Sequence, residues 1–221
     1  FLVGGSSFGV FGAGMVINGG SCSILNSVFS NNTGGSGFLD SSRGGALVID
    51  GTANIVNSVF YNNSAQNGAA LLFGGGDANL STVTNCSFVN NTGSFVGVGY
   101  QGFSKAIFKN CLFWNNTPTS NPVVGRDEIY SQEKRIGFQP TFINCIIRDA
   151  TGNPLAITNT VLVNSSNSNP LFVNSADGDG VDNQWATADD GLTLQNSSPA
   201  KNSGITGSGI PTLDIVGNIR D

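Results

Sequence analysis

Ile24-Leu25-Asn26-Ser27-Val28-Phe29 and Ile55-Val56-Asn57-Ser58-Val59-Phe60 are one phrase written twice. Three more copies follow: Val83-Thr84-Asn85-Cys86-Ser87-Phe88, Phe108-Lys109-Asn110-Cys111-Leu112-Phe113, and Ile143-Asn144-Cys145-Ile146-Ile147. Successive asparagines lie 31, 28, 25 and 34 residues apart. Self-similarity at roughly 20–50 residues is the mark of a solenoid, a propeller or an array. A helical repeat would hold a fixed length and a 3.6-residue period. Here the apolar runs are short, the intervals vary, and Gly and Asn fill the gaps. A constant corner with variable intervals predicts a β-solenoid, whose strands stay in register while loops absorb insertions at little entropic cost.

Working outward, a glycine-led strand precedes the phrase: Gly12–Ile17, Gly44–Ile49, Gly68–Phe73, and more weakly Gly97–Tyr100. One repeat then reads as strand, short turn, second strand, Asn corner, third strand, polar turn. Alternation in the third strand predicts two inward columns, Ser27/Ser58/Cys86/Cys111/Cys145 and Phe29/Phe60/Phe88/Phe113/Ile147. Val28, Val59, Ser87, Leu112 and Ile146 then face outward or lie under a loop. The corner favours Asn because a sharp turn between strands needs a left-handed backbone, which Asn tolerates and can reinforce with an amide ladder. Asn31-Asn32, Asn62-Asn63, Asn90-Asn91 and Asn115-Asn116 predict a second turn stack. Asn159, only 15 residues after Asn144, is a sixth corner of doubtful register.

Composition agrees with strands and turns. The chain has 221 residues, 31 of them Gly, no His, 10% charged residues and a net charge of −5. Sparse Lys and Arg argue against a nucleic-acid surface, and no apolar run is long enough to span a bilayer as a helix. Without His there is no Ser-His-Asp or Cys-His arrangement. The chain starts at Phe1-Leu2-Val3 within repeat-like sequence, which reads as a piece of a longer polypeptide.

These residues resemble the extracellular right-handed parallel β-helix repeat proteins of bacteria. Gly44–Leu47 with Phe60–Asn63, and the strand ends Phe29–Asn32, Phe88–Asn91 and Phe113–Asn116, are similar to polymorphic outer-membrane-protein repeats. Glu128–Tyr130, Pro140–Cys145, Asn169–Val173, Ala188–Leu192, Leu194–Gly204, Asp214 and Gly217-Asn218 resemble the closing coils of pectate-lyase-like, choice-of-anchor surface proteins. The resemblance implies an all-β chain forming a right-handed, single-stranded parallel β-helix of roughly six to eight coils. Coils would occupy residues 1–165, and a closing coil with a C-terminal cap residues 166–221. It also implies an extracellular or bacterial cell-surface setting, with a further strand and an anchoring region commonly following.

The expected function is a non-catalytic structural or adhesion module of a larger surface or secreted protein. Its partners would be other domains or subunits of that assembly, and glycans; membrane association would come only through an anchor or a partner. The alternatives are a polysaccharide-binding or polysaccharide-degrading β-helix protein and a segment of a phage-tail-type fibre, expected as an interlocked trimer. A lyase or hydrolase site would need two or more carboxylates and an Arg or Lys converging on one face. Asp40, Asp50 and Asp77 form no column, and Arg43, Lys105, Lys109 and Arg126 are scattered.

Three local features remain open. Asp177, Asp179 and Asp182, alternating with Gly, and the nearby Asp189-Asp190 are candidate ligands for Ca2+, which takes roughly six to eight oxygens; a solvated acidic turn is the other reading. Cys86, Cys111 and Cys145 share a column that would suit either a disulfide or a stack of free thiols, with Cys22 outside it. Tyr61 and Trp114 share an outward position with Val89, suited to stacking sugars or to lying beneath a loop.

Overall fold

Five of the six expected corners take the backbone conformation that their asparagine permits. Asn26, Asn57, Asn85, Asn110 and Asn144 have φ between +48° and +54°. Asn31, Asn62, Asn90 and Asn115, which open the second turn, lie at +52° to +57°. A β-branched or aromatic residue would be strained there. A computed structural model describes residues 2–3, 14–34, 44–74, 80–93, 98–100, 105–118, 129–131, 139–147 and 160–220. Asp40, Arg43, Asp77, Arg126, Glu128, Asn159, Gly12, Ala13 and Gly97 lie outside the described residues.

The strands are short and recur in one order. After β1 (Leu2–Val3) come β2 (Met15–Ile17), β3 (Ser21–Leu25) and β4 (Val28–Ser30). The second repeat holds β5 (Leu47–Ile49), β6 (Thr52–Val56), β7 (Val59–Tyr61) and β8 (Ser64–Ala65). The third holds β9 (Leu71–Phe73), β10 (Leu80–Thr84), β11 (Ser87–Val89) and β12 (Thr92–Gly93). The fourth holds β13 (Val98–Tyr100), β14 (Lys105–Lys109), β15 (Leu112–Trp114) and β16 (Thr117–Pro118). The fifth has β17 (Ile129–Ser131) and β18 (Thr141–Ile143), and a sixth has β19 (Val161–Val163).

Among the described residues the chain is all-β, without helix, and every strand-to-strand pairing is parallel. Four sheets result, ordered β2-β5-β9-β13-β17, β3-β6-β10-β14-β18-β19, β1-β4-β7-β11-β15 and β8-β12-β16. Successive repeats contribute to these sheets in the same order, an arrangement compatible with a β-solenoid. The weak fourth glycine-led copy is a full member: Val98 pairs with Leu71 and with Ile129. The sixth corner is Asn164, at φ +48°, following β19. Val161-Leu162-Val163-Asn164-Ser165 carries the phrase without an aromatic residue, which is why it escapes a search for Phe two positions on.

The core is two aromatic stacks meeting edge to face. Phe29, Phe60, Phe88 and Phe113 stack with centroids 4.9, 4.8 and 4.7 Å apart and planes within 5° of parallel. The second strand supplies the column Ile24/Ile55/Val83/Phe108/Phe142, of which Phe108 and Phe142 stack at 4.7 Å. Phe108 also meets Phe88 and Phe113 edge-on, at 6.3 and 5.7 Å. Each fully buried Phe contributes about 1.5–3 kcal/mol.

The small column is polar and works as a ladder. Ser27 Oγ, Ser58 Oγ, Cys86 Sγ, Cys111 Sγ and Cys145 Sγ each donate to the carbonyl two residues earlier, at 2.9, 2.9, 3.3, 3.3 and 3.4 Å. The backbone N–H groups of Ser27, Ser58, Cys111 and Cys145 in turn donate to Ser58 Oγ, Cys86 Sγ, Cys145 Sγ and Ser165 Oγ of the next repeat. Serine and cysteine can occupy the same column because both combine a donor and an acceptor in little volume. All four cysteines are free, so the thiol stack is the reading that holds. Burial pushes the Cys86 and Cys111 thiols well above the ordinary value, and Cys22, half-buried, rises less. A thiol reagent is therefore expected to modify Cys22 in the native protein at pH 8, with the other three reacting only after unfolding; a count of modified sites by mass spectrometry checks this.

Candidate functional site

The outward positions of the third-strand sheet form the floor of the site. Val59, Tyr61, Val89, Leu112 and Trp114 lie on this face, too apolar to stand in water. Residues 169–195 fold back over it and place Phe172, Trp185, Leu192 and Leu194 against it. Tyr61 is 7% exposed and Val89 0%, so Tyr61 and Trp114 make no open platform for sugars. Of the two readings of these aromatics, the buried one holds. The Tyr61 hydroxyl donates to the Ala176 carbonyl at 2.9 Å and accepts from Gly178 N–H at 3.2 Å. A Cβ on Gly178 would come within 2.8 Å of both the Tyr61 and Trp185 rings. That close approach explains a glycine inside the acidic run.

The carboxylates of Asp182, Asp189 and Asp190 turn inward on their own loop. Asp182 accepts from Gln184 N–H at 2.8 Å, and Asp190 from Ala186 N–H at 2.9 Å and Thr187 N–H at 3.3 Å. Asp189 accepts from the Thr187 hydroxyl at 2.9 Å and from Asp182 N–H at 3.2 Å. Asp177 acts through its backbone, its carbonyl accepting from Gly180 N–H. Asp179 is half-buried. A calcium site needs several oxygens aimed at one point, whereas Asp182, Asp189 and Asp190 aim at N–H donors. Among the described residues no three acidic side chains gather as ligands.

The Thr187 hydroxyl, then the Asp182 N–H, hold Asp189 below the ordinary aspartate range. Because the folded value is the lower one, this support is complete above the unfolded value near 3.9 and disappears as pH falls through the folded value. Protection of the amides of residues 181–190, taken relative to the intrinsic exchange rate at each pH, is expected to drop once the pH is below about 3.9. In Asp189→Asn that acid-side change should shrink, which pH-dependent hydrogen exchange will reveal.

Residues 196–220 continue along the corner row. Asn144 Nδ2 donates to the Ser203 carbonyl at 3.0 Å, Asn110 Nδ2 to the Ile205 carbonyl at 2.9 Å, and Asn57 Nδ2 to the Leu213 carbonyl at 2.8 Å. Asn85 stays within the row, donating to Asn57 Oδ1 at 3.3 Å and accepting from Asn110 Nδ2 at 3.1 Å. The expected amide ladder is thus present, and it also holds the C-terminal segment.

Between this segment and the repeats lies a cleft of about 650 Å3. Its lining brings together Trp185, Ser87, Asp190, Asp214, Lys201 and Arg220. Two carboxylates and two cations therefore share one cleft, the composition expected of a lyase or hydrolase site. Each also makes hydrogen bonds of its own. Asp190 holds its own turn, and Asp214 Oδ1 accepts from Val216 N–H at 3.0 Å and Asn218 N–H at 2.8 Å. Arg220 donates to the Leu213 carbonyl and to Asn57 Oδ1, both at 3.3 Å, and Lys201 to Asn196 Oδ1 at 3.0 Å. Asp50, Lys105 and Lys109 do not line this cleft. Sequence reasoning missed the cleft because its walls are joined by contacts such as Asn57–Arg220, 163 residues apart. No local pattern announces such a juxtaposition.

Comparison of the chain with protein-family models, with curated proteins and with solved structures finds no match.

Proposed function

We propose that the chain is a right-handed parallel β-helix of roughly six to eight coils that serves as a non-catalytic scaffold, a stalk or adhesin passenger, within a larger bacterial surface or secreted protein. One observation carries this reading: the unbroken axial stack Phe29–Phe60–Phe88–Phe113, with rings at 4.7–4.9 Å. A structure so committed to repetition along one axis suits display and contact at a distance. The turn-holding bonds of Asp190 and Asp214 support the absence of catalysis. Protease treatment of intact source cells tests the reading: peptides of this chain should be released without lysis. Detection only after lysis would overturn it, and an interlocked trimer in sedimentation would favour the fibre alternative.

The cleft favours a second reading, the binding of a neutral glycan. Trp185 offers an aromatic wall, Ser87 and Thr193 offer hydroxyls, and Asp190 and Asp214 balance Lys201 and Arg220. Neutral oligosaccharides should then change tryptophan fluorescence saturably in the wild type and in Trp114→Phe, but not in Trp185→Leu. A panel that leaves the wild-type spectrum unchanged would sink this reading while leaving the scaffold standing.

A further inference from the structure

The ladders within the repeats join neighbours only. Asn32 binds Asn63, Asn63 binds Asn91, and Asn91 binds Asn116, each link reaching one repeat along. A stack joined only by such links behaves as a one-dimensional array, which frays from its ends at its weakest interface. The C-terminal segment breaks that rule. From Ser203 to Arg220 it passes Asn144 of the fifth repeat, then Asn110 of the fourth, then Asn57 of the second. Its seat on Asn110 is two-pronged, because Ile205 N–H also donates to Asn110 Oδ1 at 2.9 Å. Gly204 makes the seat possible: a Cβ there would stand 3.0 Å from Asn110 Nδ2 and 3.1 Å from its Cγ. The earlier part of the segment grips the other turn row, with Tyr61 of the second repeat holding Ala176 and Gly178, and Asn90 of the third donating to the Ser175 carbonyl.

We propose that residues 169–220 form an intramolecular strap that ties the second to the fifth repeat into one cooperative unit, so that the stack opens as a whole instead of repeat by repeat. The side-chain amides of the two asparagine rows are its fastening points, and the apolar floor from Val59 to Trp114 is its seat. This role goes beyond the scaffold reading and holds wherever the protein is displayed.

The test is hydrogen exchange by mass spectrometry on the full chain. In the wild type, peptides covering β6, β10, β14 and β18 should share one opening and exchange together. The variant Gly204→Val/Ile205→Pro lifts the strap off Asn110 without altering any repeat residue. Its strap peptides should exchange roughly tenfold or more faster, and protection of the four strands should separate into distinct rates. Arg220→Ala is the milder variant, removing one of the two bonds to Asn57 and leaving that from Asn57 Nδ2 to the Leu213 carbonyl. It should speed exchange in β6 and β7 and leave β18 unchanged. Ser208→Ala, at an exposed position, is the control. Strap peptides that lose protection while the four strands still open together at the wild-type rate would overturn the proposal. So would wild-type strands that already exchange at separate rates, or β6 and β7 unmoved in Arg220→Ala.

Discussion

Asn91→Ala is expected to destabilise the fold by about 3–5 kcal/mol. Asn91 is fully buried and stands in the middle of the second asparagine row. Its Nδ2 donates to Asn116 Oδ1 at 2.8 Å and to the Phe60 carbonyl at 2.9 Å. Its Oδ1 accepts both from Asn63 Nδ2 at 2.9 Å and from Asn63 N–H at 3.0 Å. Alanine leaves two donors of Asn63, the Asn116 oxygen and the Phe60 carbonyl short of partners in a dry interior. Each such buried group costs about 1–3 kcal/mol, and some relaxation keeps the total below the simple sum. The exposed corner Asn26 is the contrast: Asn26→Gly keeps the left-handed backbone and should change stability by less than about 1 kcal/mol. Urea denaturation followed by far-UV circular dichroism measures both. A loss under about 1 kcal/mol for Asn91→Ala would show that the ladder is dispensable.

Phe88→Ala is expected to cost about 3–5 kcal/mol by a different route. The ring is stacked between Phe60 and Phe113 and touched edge-on by Phe108. Truncation removes its apolar area from the core and leaves a void that parallel strands, fixed by their hydrogen bonds, cannot close. Phe88→Leu should cost less, since it refills part of the space. The loss is coupled to position: Phe29, at the first level of the stack, has a stacked ring on one side, so Phe29→Ala should cost less than Phe88→Ala. Equal losses at the two positions would argue that ring stacking along the axis adds nothing beyond burial. Repeat arrays can unfold in stages, so the midpoint and the slope of each transition should both be compared.

How much of this was legible depends on the range over which each feature is encoded. The corners were legible because a left-handed turn restricts residue choice at a single position, and Asn57 or Asn85 states that choice locally. The Phe column was legible because strand alternation is local and the phase of Phe60, Phe88 and Phe113 repeats. Asn164 was missed because Asn167 stands where the other copies have Phe or Ile, leaving the corner without its bulky signature. The cleft was illegible for a deeper reason. Trp185, Lys201, Asp214 and Arg220 meet Asn57 and Ser87 only because the chain doubles back, and side-chain pattern within a repeat carries no trace of that return. The acidic run shows the same limit. Gly178 is small where two rings close on it, and Asp190 bonds the N–H groups of its own turn, and neither requirement shows in the alternation of Asp and Gly.

The direction in which the strap travels sets a timetable for folding. A chain made from its N-terminus completes its repeats in sequence, each able to stack on the one before as soon as it emerges. The strap's corner-row part runs the other way, so Leu213 and Arg220, which bond Asn57 of the second repeat, are made after the residues that bond the fifth and fourth. Until residues 169–195 emerge, Val59, Tyr61, Val89, Leu112 and Trp114 stay uncovered, and the nascent stack has an apolar flank and only neighbour-to-neighbour links. Closure is therefore a late step relative to the repeats, in which a pliable, sticky stack is sealed by a segment made after all of them.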